Sequence, residues 1–222
     1  MTPLPSFLYK IDFLVCHQIQ TKTFSLCSQY MPLCARCTGI YSGFFIGMAY
    51  QLVAGKKLSG FPPKSILFTS LGLILLMVVQ VITEGSFPSL NNNHLRFLTG
   101  ILCGGSVSVL FFPIFIYFIY EKTPDKPVIN SQRSFFLLPL ILTGFFSLHF
   151  IQSPVVFYVL GYVSTAGAVT AYIATNLLLA SIVINLRGKK RSFNSSVLIC
   201  IIAICFLLVE IILLKFNPLR IQ

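Results

Sequence analysis

The sequence predicts an all-α protein, a polytopic integral membrane helical bundle of about six transmembrane helices. Of its 222 residues, 56% are hydrophobic and only 9% are charged. Water-soluble chains carry roughly 25% charged residues, so a soluble domain is excluded. The 16 Lys and Arg exceed the 5 Asp and Glu and give a net charge of +11, but this excess lies between long apolar stretches. There it indicates membrane topology, with membrane lipids rather than nucleic acid as the expected partner.

Six stretches are apolar enough to be predicted as spans, since a transmembrane helix needs about 20 such residues. They are Thr38–Gly55, Ser65–Thr83, Phe97–Tyr120, Ser134–Ile151, Val155–Asn185 and Ser196–Phe216. The fourth is short and lies between prolines, whereas the fifth exceeds the length of a bilayer, which predicts tilt or extension into water. We divide the chain into a Cys/His-motif module, residues 1–120, and a C-terminal helical module, residues 121–222.

Before the first span, apolar residues recur every three or four positions from Leu4 to Ile19, as on one face of a helix. The segment lacks the basic leader and cleavage site of a signal peptide. It is too short to span and carries Lys10 and Asp12. We therefore expect an interfacial amphipathic helix that lies along the membrane surface.

The connecting segments differ in their basic residues. With six spans both termini share a side, which carries six Lys and Arg, while the opposite side carries ten. The positive-inside rule places the ten in the cytoplasm. We expect a prokaryotic plasma membrane with both termini outside.

Small residues recur four positions apart in two of the spans. They are Gly39, Gly43 and Gly47 in the first span, and Gly100, Gly104 and Ser108 in the third. Such ridges let helix backbones approach closely in lipid. We predict that these two spans are in contact, which would bring together the segments that precede them.

The reactive side chains collect on the side that carries the termini. That side holds His17, His94 and His149 together with Cys16, Cys27, Cys34 and Cys37. Two cysteines separated by two residues can bind one metal ion or close one disulfide. With Cys16 and His17 added to Cys34 and Cys37, the ligand count reaches the four of a tetrahedral zinc site. Adjacent residues on a helix point about 100° apart. Cys16 and His17 can therefore bind the same metal only if the helix ends there; otherwise one of them would orient a ligand without binding the metal.

The same cysteines support two other interpretations. Thiols outside the cytoplasm tend to be oxidised, and Arg36 favours a thiolate in the CxxC pair. The chain would then be a thiol–disulfide oxidoreductase that passes electrons to a quinone, with Cys16 paired to Cys27 and Cys34 and Cys37 as the exchanging couple. Alternatively, static disulfides fix the N-terminal segment in place.

A second polar cluster flanks the loop between the second and third spans. Arg96 enters a span and needs an anionic or carbonyl partner, and Glu84 is the nearest carboxylate in sequence. The two residues could tie the spans together, or Arg96 could bind an anion or a lipid headgroup. His94 could be only a solvated loop residue. If the metal is catalytic, we expect Arg36, Glu84, His94 and Arg96 to line its approach, with a lipid or lipid-linked anion as substrate.

These motifs resemble the membrane family known as domain of unknown function 2085. The similar elements are CHQ at 16–18, CARCTGIY at 34–41, Glu84-Gly85, and the N-x-LR-x-x-TG segment at 93–100. They cover about the first half of the chain, and the resemblance implies a membrane protein without implying an activity. The shared thiols are Cys16, Cys34 and Cys37, and an odd number favours a metal site. Cys27 lies outside the pattern, and the acidic and basic residues that follow CHQ in the family are replaced here by Gln20–Phe24.

The reaction, if there is one, is left open by the sequence. A small-solute transporter is a further alternative, with Asn176 and Glu210 as polar sites inside the membrane. Internal symmetry between the halves would support it, but the CARCTGIY segment has no counterpart later in the chain.

Overall fold

The structure is a computed structural model that describes residues 4–55, 60–87, 92–119, 126–129, 132–186 and 203–204. Its α-helices are α1 (Ser6–Phe13), α2 (Ala35–Gly55), α3 (Lys64–Ser86), α4 (Asn93–Ile119), α5 (Gln132–Ser147) and α6 (Pro154–Leu186). A two-stranded antiparallel hairpin, β1 (Ser25–Leu26) and β2 (Gln29–Tyr30), lies between α1 and α2. The predicted all-α membrane bundle is confirmed.

Four helices in the described part of the chain, α2, α3, α4 and α6, are long and apolar enough to cross a membrane. Helix α5 has only 16 residues, a length of about 24 Å, so it is shorter than a hydrocarbon core of about 30 Å. The predicted fourth span is therefore a short apolar helix, below the length of the other four. The predicted sixth span lies outside the described residues, except for Ala203 and Ile204, which are helical.

Helices α2 and α4 form the centre of the bundle and pack together more extensively than any other pair. They run parallel, because Gly39 lies against the Phe97 carbonyl while Gly47, two turns later, lies against Ser108. A Cβ atom at either glycine would collide with α4, so this approach requires glycine. The predicted contact between the first and third spans is confirmed.

The remaining spans flank this pair. Helix α3 packs on α4 and leaves large apolar side chains exposed, among them Phe68, Leu75 and Ile82, as expected of a lipid-facing helix. Helix α6 packs along the other side of α2, where Gly167 lies against the backbone of Tyr41.

Helix α1 differs from the prediction in its length and in the side that it buries. It has 8 residues and packs against α6, where Leu4 contacts Gly161 and the Thr165 hydroxyl donates to Asp12 Oδ2 at 2.6 Å. Leu8 is buried and Asp12 is completely buried. Asp12 is buried because α6 covers it and supplies a hydrogen-bond donor, Thr165.

The two ends of the bundle bring different segments together. At the end where α2 and α4 begin, which we call the cysteine end, the N–H of Cys27 donates to Gln152 Oε1 at 3.4 Å, linking the hairpin to the turn before α6. At the opposite end, which we call the lysine end, the N–H of Gly60 donates to the Lys126 carbonyl at 3.1 Å. Segments predicted to share a side therefore meet, whereas the orientation across the membrane stays a prediction.

Candidate metal site and its surroundings

Cys16 is positioned by the turn that ends α1. Its N–H donates to the Asp12 carbonyl at 2.9 Å, and the chain then reverses at Gln18, whose φ of 51° lies in the left-handed region. The Gln18 side-chain amide donates back to the Tyr9 carbonyl at 2.8 Å. This reversal leaves Cys16 buried and His17 exposed, so two adjacent residues of the CHQ motif face different surroundings.

Cys34 and Cys37 lie at the start of α2. Cys34 directly precedes the helix, and its carbonyl accepts from the Thr38 N–H at 2.9 Å. The Thr38 hydroxyl donates to the Leu33 carbonyl at 3.2 Å, which fixes the chain as it enters the helix. Residues three apart share a helix face, and the positive end of the helix dipole favours thiolates there.

The sulfur atoms of Cys16, Cys34 and Cys37 lie within 4.8 Å of one another. The Cys34 N–H donates to Cys16 Sγ at 3.4 Å. Hydrogen bonds from the side chains of Cys34 and Cys37 hold the pKa of Cys16 well below its ordinary value. Across the described ranges, no other group of three His, Cys, Asp or Glu side chains converges in this way.

Several residues of the sequence hypotheses lie outside this cluster. His17 is exposed and is not one of the three converging residues, and its role as a ligand stays a prediction. Cys27 lies in the hairpin turn, where its φ is 51°. It is not one of the converging cysteines, and the sulfurs next to Cys16 are those of Cys34 and Cys37. Asn176, proposed for a transporter, is buried in α6, and Glu210 lies outside the described residues.

Sequence reasoning missed a buried carboxyl group beside the cluster. The Oδ1 atom of Asp12 is buried and has no hydrogen-bond partner among the described residues. Burial raises the pKa of Asp12 to about 6, against the effect of the Thr165 hydrogen bond. The signal was present in the spacing, because Leu4, Leu8, Asp12 and Cys16 recur every four residues and form one buried stripe.

Glu84 lies between two arginines. Its Oε2 is 2.7 Å from Arg36 Nη2 and 2.9 Å from Arg96 Nε. Gln80, one turn earlier, accepts from Arg36 Nη2 at 3.1 Å and from the Thr99 hydroxyl at 3.3 Å. The predicted Glu84–Arg96 pair is confirmed, and Arg36 shares it. The network therefore ties α2, α3 and α4 together beside the cysteines.

The network continues into the N-terminal segment. Arg96, only 3% exposed, donates through Nη1 to Asn93 Oδ1 at 2.9 Å. The Asn93 amide donates in turn to the carbonyls of Thr21 and Thr23 at 3.3 and 3.4 Å. These contacts are structural ties, and the proposed catalytic roles of Arg36, Glu84, His94 and Arg96 stay predictions.

His94, in the first turn of α4, contacts a second histidine. Its Nδ1 lies 2.7 Å from Nε2 of His149, which follows α5 in a 3₁₀ turn, Leu148–Phe150. The buried His149 ring hydrogen-bonds through Nδ1 to the Phe146 carbonyl. The sequence places both histidines on this side but gives no sign that they touch, because 55 residues separate them.

These features define a helical membrane protein with a three-cysteine cluster at one end of its bundle. Residues 16–110 match the family model described as predicted membrane protein, DUF2085. An uncharacterized protein of Methanocaldococcus jannaschii is 36% identical over 116 residues, which are 52% of this chain and 72% of that protein. An uncharacterized protein of Methanothermobacter thermautotrophicus is 38% identical over 101 residues, 43% of this chain and 83% of that protein.

The chain therefore belongs to the DUF2085 family, and the resemblance seen in its motifs is confirmed. The matched region contains all three clustered cysteines together with Glu84 and Arg96, whereas α5 and α6 lie beyond it. No solved structure matches the chain.

Proposed function

We propose that this membrane protein binds one zinc ion through the thiolates of Cys16, Cys34 and Cys37 at the cysteine end. The observation that carries the proposal is the convergence of three sulfurs, contributed by two separate segments, within 4.8 Å of one another. Zn–S bonds of about 2.3 Å place the sulfurs of a tetrahedral site about 3.8 Å apart. The observed upper limit of 4.8 Å between the sulfurs is compatible with this spacing.

The arrangement favours a metal over a disulfide because the number of thiols is odd. A disulfide between any two of these cysteines would leave the third, which is buried or half-buried, without a second thiol of the cluster to pair with. The start of α2 supplies a positive helix end, which stabilises thiolates, and thiolates are the form that binds metal. Zinc prefers such ligands in tetrahedral sites.

The cluster leaves one coordination position for a ligand from outside the set. In the described part of the chain, no fourth His, Cys, Asp or Glu atom joins the three sulfurs. Three protein ligands with an open fourth position are typical of catalytic zinc, which acts as a Lewis acid on a bound oxygen. We propose a lipid or lipid-linked anion as the substrate class. Arg36 Nε, buried and without a partner among the described residues, provides a charged donor for it.

Metal analysis on the purified full-length chain tests the metal site. We expect about one zinc per chain in the unmodified protein and less than a tenth of that in Cys16→Ser, Cys34→Ser and Cys37→Ser. Cys27→Ser is the matched control, because Cys27 lies at the same end but outside the cluster, and it should keep the zinc.

Thiol labelling before and after reduction completes the test. A metal-free protein whose cysteines react only after reduction would overturn the proposal and favour the thiol–disulfide oxidoreductase with a quinone acceptor. The substrate class is tested separately by mass spectrometry of co-purified lipids. Anionic lipids should be enriched with the unmodified chain and reduced in Arg36→Gln but not in Lys22→Gln, whose side chain is exposed. Equal lipid profiles would contradict the proposed anionic substrate without contradicting the proposed metal site.

A further inference from the structure

A cavity lies at the cysteine end, and no cysteine lines it. Its volume is about 380 Å³, within the range of about 300–1,000 Å³ that small-molecule sites occupy. Its polar lining consists of two histidines, His94 and His149, and of the hydroxyl- and amide-bearing residues Thr23, Ser25, Asn92, Asn93 and Gln152. Within the described residues, no Lys, Arg, Asp or Glu side chain lines the cavity.

The histidine pair borders this cavity, and its hydrogen bonds fix where the protons lie. A carbonyl oxygen only accepts, so His149 Nδ1 carries the hydrogen that it donates to the Phe146 carbonyl. Burial lowers the pKa of His149, which favours the neutral ring with a lone pair on Nε2. His94 Nδ1 must then donate to that lone pair across 2.7 Å. In neutral His94 the remaining nitrogen, Nε2, is an acceptor.

Aromatic rings hold both imidazoles in place. The His94 ring stacks on Phe150 with a centroid distance of 5.5 Å and an angle of 11°. The Phe24 ring, which lines the cavity, lies 5.6 Å from His94 and 5.2 Å from His149. Buried His149 therefore orients the exposed imidazole of His94 and leaves its Nε2 as a hydrogen-bond acceptor. This arrangement favours a ligand that donates a hydrogen bond.

The amides of the cavity supply matching donors. Asn92 Oδ1 accepts from the His94 N–H at 2.8 Å, and Gln152 Oε1 accepts from the Cys27 N–H at 3.4 Å. Their NH₂ groups have no hydrogen-bond partner in the part of the chain that the structure describes. The cavity therefore offers two amide donors, one imidazole acceptor and one aromatic face.

We infer that this cavity binds an uncharged polyhydroxylated group, such as a sugar ring or a glycerol unit. A hydroxyl both donates and accepts, so it pairs with the His94 acceptor and with the amide donors at once. A carboxylate or a phosphodiester lacks a hydrogen for His94, and inorganic phosphate, which keeps a P–OH hydrogen, would bring its negative charge to a lining that has no cation among the described residues. The Phe24 ring covers the C–H face of a sugar. The inference does not depend on the proposed metal, because the two sites share no side chain.

Titrations on the full chain in an amine-oxide detergent, which contains no sugar, test this site. The probes are methyl β-glucoside, a glucosyl-diacylglycerol in nanodiscs, and inorganic phosphate. In ¹⁵N-histidine spectra we expect His94 to carry its proton on Nδ1, and methyl β-glucoside to shift His94 Nε2 while the exposed His17 does not move. Phosphate at the same concentration should leave His94 unshifted.

Matched variants separate binding from folding. Saturation-transfer signals should show methyl β-glucoside binding at least tenfold more weakly to His94→Phe and Gln152→Ala than to the unmodified chain. Gln20→Ala, an exposed glutamine outside the cavity, should bind normally. A lipid probe that binds more than tenfold more tightly than the free glucoside identifies a lipid headgroup, and equal affinities identify a soluble polyol. No glucoside binding, equal binding by His94→Phe, or a His94 shift with phosphate alone would overturn the inference.

Discussion

The two ends of the α2–α4 pair use polar side chains in opposite ways. At the lysine end, the Gln51 amide donates to the carbonyls of Gly47 and Ser108 at 3.1 and 3.0 Å, and the Ser108 hydroxyl donates to Gly105 at 2.6 Å. These partners all belong to the two helices themselves. At the cysteine end, by contrast, charged and reactive side chains are present as well, and the polar contacts there join α2 and α4 to α3 and to the N-terminal segment.

The parallel direction of α2 and α4 explains much of this difference. Both helices begin at the cysteine end, so two positive helix ends lie side by side there. Anionic groups are stabilised at such a place, and the Glu84 carboxylate is found there beside the clustered cysteines. The lysine end, where both helices terminate, has uncharged amides and hydroxyls in its core. The same pair of glycine-rich helices thus has a structural end and an end where the proposed ligand sites lie.

Removing the charge of Glu84 should give the largest effect on stability. Glu84→Gln leaves Arg36 and the buried Arg96 without their counter-charge, and breaking a buried ion pair costs about 3–5 kcal/mol. The loss should appear in unfolding by SDS titration in mixed micelles, followed by circular dichroism. The double variant Glu84→Gln/Arg96→Gln should recover part of it. A loss below about 1 kcal/mol for the single variant would contradict the structural role of this network.

Removing the proposed metal should weaken the cysteine end next. A ligand at one hundred times its Kd stabilises the folded state by about 2.7 kcal/mol, so a strong chelator should lower stability by about that amount. Cys34→Ser should start at the lower stability and not respond to the chelator, whereas Cys27→Ser should respond fully. An unchanged unfolding curve for the unmodified chain would show that no metal stabilises this end.

The sequence predicted the membrane class, the α2–α4 contact and the Glu84–Arg96 pair for identifiable reasons. Apolar length and glycine spacing are local patterns that persist in the folded chain. The four-residue spacing of Asp12 with Leu4, Leu8 and Cys16 was a local signal for its burial, but its partner was not predictable, since Thr165 lies 153 residues away in α6. The His94–His149 contact likewise requires the turn after α5, whose position is set by packing. Arg36 was assigned to the approach of the metal, and only the fold shows that it shares Glu84.

Glycine substitutions should separate the tightly packed pair from the lipid-facing helix. A Cβ at Gly104 in α4 would collide with the Ile40 carbonyl, whereas Gly72 in α3 has no atom within 4 Å of such a Cβ. Gly104→Ala should cost about 1–3 kcal/mol by overpacking. Gly72→Ala should instead stabilise by about 0.5–1 kcal/mol, because alanine favours a helix interior. The same unfolding assay measures both, and effects of the same sign would contradict the assignment of the two faces.

The smallest single effect, that of Gln51→Leu, belongs to a comparison of one substitution made at each end. Gln80→Leu removes a hydrogen bond to the Arg36 guanidinium and should cost about 1.5 kcal/mol, as for bonds to charged groups. Gln51→Leu should cost only about 0.5 kcal/mol, because the carbonyls of Gly47 and Ser108 keep their helical hydrogen bonds. Zinc content is a second way to distinguish the ends. Gln80→Leu removes a hydrogen bond that holds Arg36, the neighbour of Cys37, and should lower the zinc occupancy, whereas Gln51→Leu should leave it unchanged. Equal effects on stability and on zinc would mean that the two ends do not differ as their hydrogen bonds indicate.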